Sequence, residues 1–375
     1  MRVLMVTEVY PPDCYGGGWS TYNLAKALDE SDDVEVKVLA VNQEEVKEDL
    51  PVEKVNVPRV PNERAYRYIV KETRKMKEDF DVVQGQHSLT IPSLAFLEDV
   101  GTVGVVRDYW PVCYKTTLRD MWGNNHQKCG LKCLATVTRD FKAGVPYKLW
   151  NHHYRKKLAK KIDVMAARSE FVEERLEDHG FGNTEVHYNF VEEGFSDKVE
   201  PEGEGDVLYV GQMTEQKGPQ LLVEAIPEIT EKFPDKRFVF LGEGEIKEEL
   251  ERKVEKLGLE ENVVFRGHVS KEEVKSRMKG ASVMVSPSLW YEPLSRVIIE
   301  AKSLGTPVIT TDRGGNSESV EEEMVFDPEK ESLADKVTEF LEGSFEQYMD
   351  HPSKKEVVEG WVETYQCLKE KYSQG

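Results

Sequence analysis

The stretch SPSLWYEPLSRVIIEA, residues 286–301, holds two glutamates eight positions apart, Glu292 and Glu300. Pro293, a residue favoured in a first helical turn, predicts a helix over 293–304 with Glu292 at its mouth. On such a helix the two side chains would stand about 80° apart in rotation and ~12 Å apart along the axis, both facing one cleft. That separation suits the two ends of a nucleotide-sugar: sugar hydroxyls at Glu292, ribose hydroxyls at Glu300, and the diphosphate on the helix N-terminus between them. Glu300 is flanked by Val297, Ile298, Ile299 and Ala301, a setting in which a carboxylate needs a partner. The alternative is a capping or ion-pair role for both.

Lys217 ends the loop GQMTEQKG, residues 211–218, between a predicted strand and a predicted helix. A lysine there adds a mobile positive charge to a helix terminus, which suits a diphosphate. The bland reading is a solvated surface lysine. Near the start of the chain, Tyr10–Trp19 carries the triplet Gly16–Gly17–Gly18 just before a helical pattern. Glycines let backbone approach a ligand closely, and a helix start offers N–H groups to an anion. The loop is not GxGxxG, so a dinucleotide fingerprint is absent.

Three further groups of residues invite a metal or a surface. Cys113, Cys129 and Cys133 fall within 21 positions, with His126 nearby. Cys-x3-Cys plus a distant Cys is a loose zinc spacing, weaker than paired CxxC, and free thiols in an insertion compete with it. Asp79–Phe80–Asp81 matches a DxD metal pattern but falls where a helix ends and a strand begins, so it reads as a solvated boundary. Residues 141–161 carry seven Lys/Arg and no acid, interleaved with Tyr147, Leu149, Trp150 and Tyr154. Such a stretch could touch an anionic membrane surface or a lipid-phosphate acceptor, or be a helix packed on a sheet with an ordinary wet face.

Elements must position these residues. Short apolar runs at Val3–Thr7, Val34–Val41, Asp81–Gln84, Thr102–Val106 and Ile162–Ala167 read as buried parallel strands, the last of them closing the first half. Leu24, Ala27 and Leu28 mark one face of a helix after the glycine loop. Glu192–Gly205 is acidic, glycine-rich and without apolar period, and reads as a linker. Beyond it, strands at Val207–Val210, Arg237–Leu241, Val263–Arg266, Ser282–Ser286 and Thr306–Thr310 alternate with helices at 218–232, 245–257, 271–278 and 293–304. A helical stretch, Lys354–Tyr372, ends the pattern. Alternating strands and helices imply the α/β class with parallel sheets covered by helices on both faces. The expectation is two Rossmann-like domains, 1–190 and 206–350, facing across an interdomain cleft. A linker over 191–205 would join them, and a final helix, 351–375, would be placed to cross back. Ligands of such sheets sit beyond the carboxyl ends of the strands.

Composition bounds the rest. The 375 residues suggest about two domains. At 39% hydrophobic and 32% charged there is material for real cores, which argues against a disordered chain or a small disulfide scaffold. No apolar run approaches the roughly 20 residues of a membrane span, and the N-terminus lacks a basic signal-peptide region. Five cysteines fit reduced thiols, so a cytoplasmic protein is expected, with peripheral contact at the membrane's cytoplasmic face through 141–161. Residues 1–190 carry 27 basic and 29 acidic side chains, residues 191–375 carry 23 and 41. A second half with a net charge of −18 should not bind nucleic acid non-specifically.

The motifs GQMTEQKG, FLGEGE, VVFRGHVS, ASVMVSPSLWYEPLSRVIIEAKSLGTPVITTDRGG and the ARSEF…HYNFV approach to the linker together resemble the GT4 glycosyltransferases (glycosyl transferases group 1) of the GT-B fold. The likeness covers nearly the whole chain to Gly315 and is most specific at the Glu-x7-Glu spacing of Glu292 and Glu300. It implies a metal-independent, retaining transferase that moves a sugar from a UDP- or GDP-sugar to a glycan or lipid-linked acceptor. The second domain would bind the donor and the first the acceptor. Lys217 would contact the donor phosphates, Glu292 the sugar and Glu300 the ribose. Leu294 and Ser295 would offer backbone N–H groups to the diphosphate, Gly267 and His268 would lie by the base, and Gly17 and Gly18 would approach the phosphate from the other domain.

Two positions depart from the family pattern. Gln212 stands where an arginine is usual, which removes one fixed phosphate charge and leaves Arg296 or Arg313 as substitutes. Val105–Cys113 resembles the HDYWPVC type with Arg107 in place of His and Asp108 retained. Asp108 could take the acceptor's proton and Arg107 could hold an acidic group, or the two could brace a loop. His87, after another strand, is a second candidate near the reacting sugar. The resemblance also implies a base in the departing phosphate oxygen itself, with no dedicated side chain. Competing readings keep the fold: a non-catalytic subunit binding a partner transferase, favoured by Gln212, a sugar-nucleotide epimerase, or a phosphorylase, which would need a pyridoxal-phosphate lysine that no motif marks.

Overall fold

The computed structural model describes residues 1–12, 14, 16–58, 62–76, 80–113, 117–118, 125, 145–203, 205–343 and 351–373. Two compact units emerge, Met1–Asn189 together with Pro352–Gly375, and Phe190–His351.

The first unit is built on seven parallel strands: β1 (Arg2–Thr7), β2 (Glu35–Val41), β3 (Val52–Val55), β4 (Val82–Gly85), β5 (Gly101–Val105), β6 (Val164–Ala167) and β7 (Thr184–Val186). Their order is β3-β2-β1-β4-β5-β6-β7. Helices α1 (Gly16–Asp29), α2 (Asn62–Arg74), α3 (Thr90–Leu94), α4 (Val145–Ala159) and α5 (Glu170–Glu177) connect them. Val3, Leu4, Met5 and Val6 are fully buried, as a central strand covered on both faces requires. The order reverses between β1 and β4, where Val6 pairs with Gly85. That reversal is a topological switch point, and it opens a crevice at the carboxyl ends of these two strands.

The second unit repeats the plan with six parallel strands in the order β10-β9-β8-β11-β12-β13. They are β8 (Val207–Val210), β9 (Phe238–Leu241), β10 (Val263–Gly267), β11 (Val283–Ser286), β12 (Val308–Thr311) and β13 (Val325–Phe326). The helices are α6 (Pro219–Lys232), α7 (Lys247–Leu257), α8 (Lys271–Gly280), α9 (Arg296–Ser303) and α10 (Lys330–Leu341). Here the switch point lies between β8 and β11. The chain then returns to the first unit as α11 (Lys354–Ser373), burying Trp361, Tyr365 and Leu368.

Several expectations need correction. Ile162–Ala167 is not the last strand of the first half, because β7 follows; three half-buried residues are too few to show a period. The helix after β11 begins at Arg296 rather than Pro293. A residue before proline avoids the helical region, and Glu292 instead forms a parallel bridge with Gly314. The helical spacing of about 80° and ~12 Å therefore does not describe Glu292 and Glu300. Residues 191–205 are not a free linker either. Phe195 and Val199 pack against the core of the second unit, and Glu202 N–H donates to Ser276 O at 2.8 Å. Apolar side chains spaced four apart decide the matter there over the acidic composition.

Candidate active site

In the second unit two loops meet at the switch point. Residues 211–218 leave β8, form a short turn at Glu215–Lys217, and enter α6 through Gly218. Gly218 has φ +74°, and a Cβ on it would lie 1.9 Å from Pro287 O. Only glycine permits this backbone-to-backbone approach of the loop after β8 to the loop after β11. Leu289 N–H, donating to Gln216 O at 2.9 Å, ties the same two loops. Tyr209 O–H donates to Gln212 O at 2.8 Å. Burial, with the charge of Glu292 adding, holds that phenol well above its ordinary value, so it remains a donor.

The clamp brings Lys217 and Glu292 together. Lys217 Nζ donates to Glu292 Oε2 at 2.6 Å, Trp290 Nε1 donates to the same oxygen at 2.6 Å, and Ser288 Oγ at 3.2 Å. The lysine also stands 5.6 Å from the centre of the Trp290 ring. Glu292 is 7% exposed, and a buried carboxylate requires such a set of donors. A third loop fixes its backbone: Gly315 N–H donates to Glu292 O at 2.8 Å, and a Cβ on Gly314 would lie 2.2 Å from that oxygen. The glutamate is thus held by the loops after β8, β11 and β12.

The neighbouring positions are engaged differently. Glu300 Oε1 accepts from Arg296 Nε at 3.2 Å and Nη2 at 2.9 Å, four residues apart on α9, and Arg296 Nη2 lies 3.5 Å from Glu192. The partner that Glu300 needs is therefore Arg296, which is not a spare phosphate charge. Arg313 lies 3.5 Å from its neighbour Asp312. Ser295 N–H already donates to Asn316 Oδ1 at 2.9 Å, so a diphosphate would have to displace that bond. Leu294 is buried beside it. Gly267 ends β10 with φ +70° against Glu243, and His268 beyond it is exposed, as is Gln212 after β8.

In the first unit a cavity of about 290 Å³ opens at the other switch point. Glu8 after β1, Gln86 and His87 after β4, and Arg107 and Asp108 after β5 line it. A Cβ on Gly17 would lie 3.5 Å from His87 Nε2, which puts the start of α1 beside the cavity. Gly18 faces elsewhere: its Cβ would meet Cys14 Sγ at 2.4 Å. Arg107 Nη2 donates to Gln86 Oε1 at 2.9 Å and Thr21 Oγ1 at 3.2 Å, not to Asp108. Asp108 Oδ1 accepts from Trp110 N–H at 2.8 Å. Burial raises its carboxyl to about 6 and that of Glu8 to about 7, and it lowers the His87 imidazole to about 3, with Arg107 adding. Perturbed groups gathered in one concavity mark a functional site.

Sequence reasoning missed Glu8, Gln86, Ser288 and Trp290. Glu8 directly follows the run Val3–Thr7, and a rule that strand-end residues face the crevice would have found it. Of the basic stretch 141–161, residues 145–161 are described; Tyr147 and Trp150 are about 45% and 44% exposed, and Trp150 stacks on Tyr154 at 5.2 Å. Arg155 of the same helix points inward, 5.4 Å from the Trp110 ring. Cys113 is buried, while His126, Cys129, Cys133 and Asp79 lie outside the described residues. Among the described residues no helix is long and apolar enough to cross a membrane.

Residues 15–194 match the family model for Glycosyltransferase Family 4, and residues 191–355 match that for Glycosyl transferases group 1. An uncharacterized glycosyltransferase of Methanocaldococcus jannaschii is 35% identical over 158 residues, 41% of this chain and 40% of that protein. A GDP-mannose-dependent alpha-(1-6)-phosphatidylinositol monomannoside mannosyltransferase of Mycolicibacterium smegmatis is 32% identical over 120 residues, 30% of this chain and 31% of that one. These alignments span two fifths or less of the relatives' own length. HepE of Anabaena, solved with UDP, superposes with a TM-score of 0.68 at 16% identity, covering 100% of this chain and 99% of that one. At that identity the likeness shows the fold.

Proposed function

Because the chain belongs to the glycosyl transferases group 1 family, we propose that it transfers a sugar, with retention at the anomeric carbon, from a UDP- or GDP-sugar to a hydroxyl of a glycan or lipid-linked acceptor. The observation that carries this reading is the Lys217–Glu292 pair, held by three strand-end loops at the switch point of the second unit. Structural neighbours solved with UDP and with UDP-glucose support a nucleotide-sugar donor.

In this reading Lys217 leaves part of its contact with Glu292 to meet the donor's phosphates, and the start of α9 adds N–H groups. Three donors converge on Glu292 Oε2. That fixes the carboxylate so that Oε1 accepts from the sugar's hydroxyls. Glu300 reaches the ribose by exchanging its bond to Arg296. The anomeric C–O bond to phosphate breaks as the acceptor oxygen bonds to the same carbon. The acceptor's proton passes to the departing phosphate oxygen or to Asp108. The reading requires no metal. The first unit's cavity receives the acceptor, and the exposed Tyr147, Trp150 and Lys157 of α4, with Lys160 just beyond it, support contact with an anionic membrane surface.

The test is Glu292→Ala assayed across a panel of nucleotide-sugars. Turnover should fall by at least about 100-fold with the fold retained; near-wild-type turnover would contradict the assignment. The exposed Gln212, where the family has arginine, favours one other reading, a subunit that has lost catalysis. Calorimetric titration in which neither UDP nor GDP binds would support it.

A further inference from the structure

The glutamate in the first unit's cavity belongs to no motif. We infer that this cavity takes one uncharged, hydroxyl-rich ring of the acceptor, and that Glu8 accepts hydrogen bonds from that ring's hydroxyls. The inference names the chemical class of the acceptor and rests on the transferase reading above.

Size is the first argument. At about 290 Å³ the cavity sits at the lower end of small-molecule sites, roughly 300–1,000 Å³, which suits a single ring. Charge is the second. The carboxyls of Glu8 and Asp108 line the space, and the guanidinium of Arg155 acts on both from α4. Arg107 brings the other positive charge, and its Nη2 is already bonded to Gln86 and Thr21. Two carboxyls stand against two guanidinium groups, so the lining is balanced, and a phosphate-bearing terminus would add negative charge beside the two carboxyls.

Hydrogen-bonding capacity is the third argument. Gln86 is fully buried, and its Nε2 has no partner among the described residues. A buried donor left so carries the cost of its lost hydration, which an arriving acceptor atom relieves. His87 Nδ1 is likewise buried without a partner. The imidazole is neutral, so one ring nitrogen donates and the other accepts. Glu8 and Asp108 accept. Ring hydroxyls, each both donor and acceptor, match this mixture, whereas a phosphate only accepts. Glu8 is aimed by its own backbone surroundings: Leu89 N–H donates to Oε1 at 2.8 Å. The charged and titratable groups facing Glu8 are Asp108, His87 and Arg107 around the cavity, Arg155 from α4 and the buried Tyr66 from α2.

The test titrates the whole chain with methyl α-glucoside and myo-inositol, then with glucose 6-phosphate and an inositol monophosphate, each with and without UDP. The readout is the His87 imidazole ¹⁵N signal, assigned by its loss in His87→Gln. The neutral rings should shift it saturably, and the phosphates should bind at least tenfold more weakly. Glu8→Ala should weaken the neutral rings at least tenfold, and Glu8→Gln, which keeps a carbonyl for Leu89 N–H, by less, both with the wild-type pattern of backbone amide signals elsewhere. Phosphates binding as tightly as neutral rings, no saturable shift from either neutral ring, or wild-type affinity in Glu8→Ala would each overturn the inference. UDP and GDP binding, measured separately by calorimetry, reports on the second unit. Loss of both with ring binding intact would sink the transferase reading alone.

Discussion

Replacing Glu8 by glutamine should change the stability of the first unit by an amount that depends on pH. Burial raises this carboxyl from 4.5 to about 7, so its ionised form is less well accommodated in the folded chain than in the unfolded one. With the folded value above the unfolded one, the side chain's contribution is fully present below about 4.5 and is lost as pH rises to about 7. At 1.36 kcal/mol per decade, the gap 7 − 4.5 corresponds to about 3 kcal/mol. Glu8 keeps part of its surface exposed, and solvent screening brings the expected change to about 2 kcal/mol. Glutamine removes the charge and retains an oxygen for the Leu89 N–H. The variant should therefore gain about 2 kcal/mol on the wild type between pH 4.5 and pH 8, on top of any constant offset. Urea denaturation at pH 4.5, 6 and 8, followed through the buried Trp110 and Trp361, measures the difference. A difference flat to within about 0.5 kcal/mol, or one of opposite slope, would refute the desolvation argument.

Other expectations follow from the second unit and from α4. Lys217→Ala should weaken UDP or GDP binding more than tenfold, about 1.4 kcal/mol, in a calorimetric titration; unchanged affinity would remove the lysine from the site. Gly218→Ala forces a Cβ toward Pro287 O at a positive φ, so the second unit should lose about 1–3 kcal/mol and nucleotide affinity should fall with it; a neutral result by thermal unfolding would mean the two loops are not locked together. Reversing the charge at Lys156, Lys157 and Lys160 should reduce flotation with anionic liposomes, whereas no change would make α4 an ordinary wet helix.

How much of this was legible depended on the kind of signal. Continuous apolar runs such as Val3–Thr7 and Val207–Val210 announced their strands because a parallel sheet buried on both faces leaves no room for polar alternation. The three residues of β7 carried no such pattern, and the 4-residue β3 sets Glu53 and Lys54 side by side between its two valines at a sheet edge. The sequence places Glu292 at a helix mouth, which the structure does not. Pro293 fits a first helical turn and equally keeps its predecessor extended, and the bridge to Gly314, twenty-two positions on, decides between them. Arg296, read from the sequence as a substitute phosphate charge, instead pairs with Glu300 at i, i+4; the convergence of Ser288 and Trp290 on Glu292 was not legible, since it depends on how three loops fold back. Glu8 and Gln86 became neighbours only through the pairing of β1 with β4, a contact nearly eighty residues long in sequence.

The placement of α11 bears on how the protein is made. Trp361 and Tyr365 are fully buried in the first unit, Tyr365 O–H reaches Gln84 on β4, and a Cβ on Gly101 would already crowd Leu368. These residues follow the whole of the second unit in the chain. During synthesis the first sheet therefore waits, with part of its apolar face uncovered, while the ribosome makes some 160 further residues, ~10–30 s at ordinary rates. The second unit, contiguous in sequence, can finish first. A stop codon just before residue 352 would leave a complete second unit attached to a first unit that never closes its core.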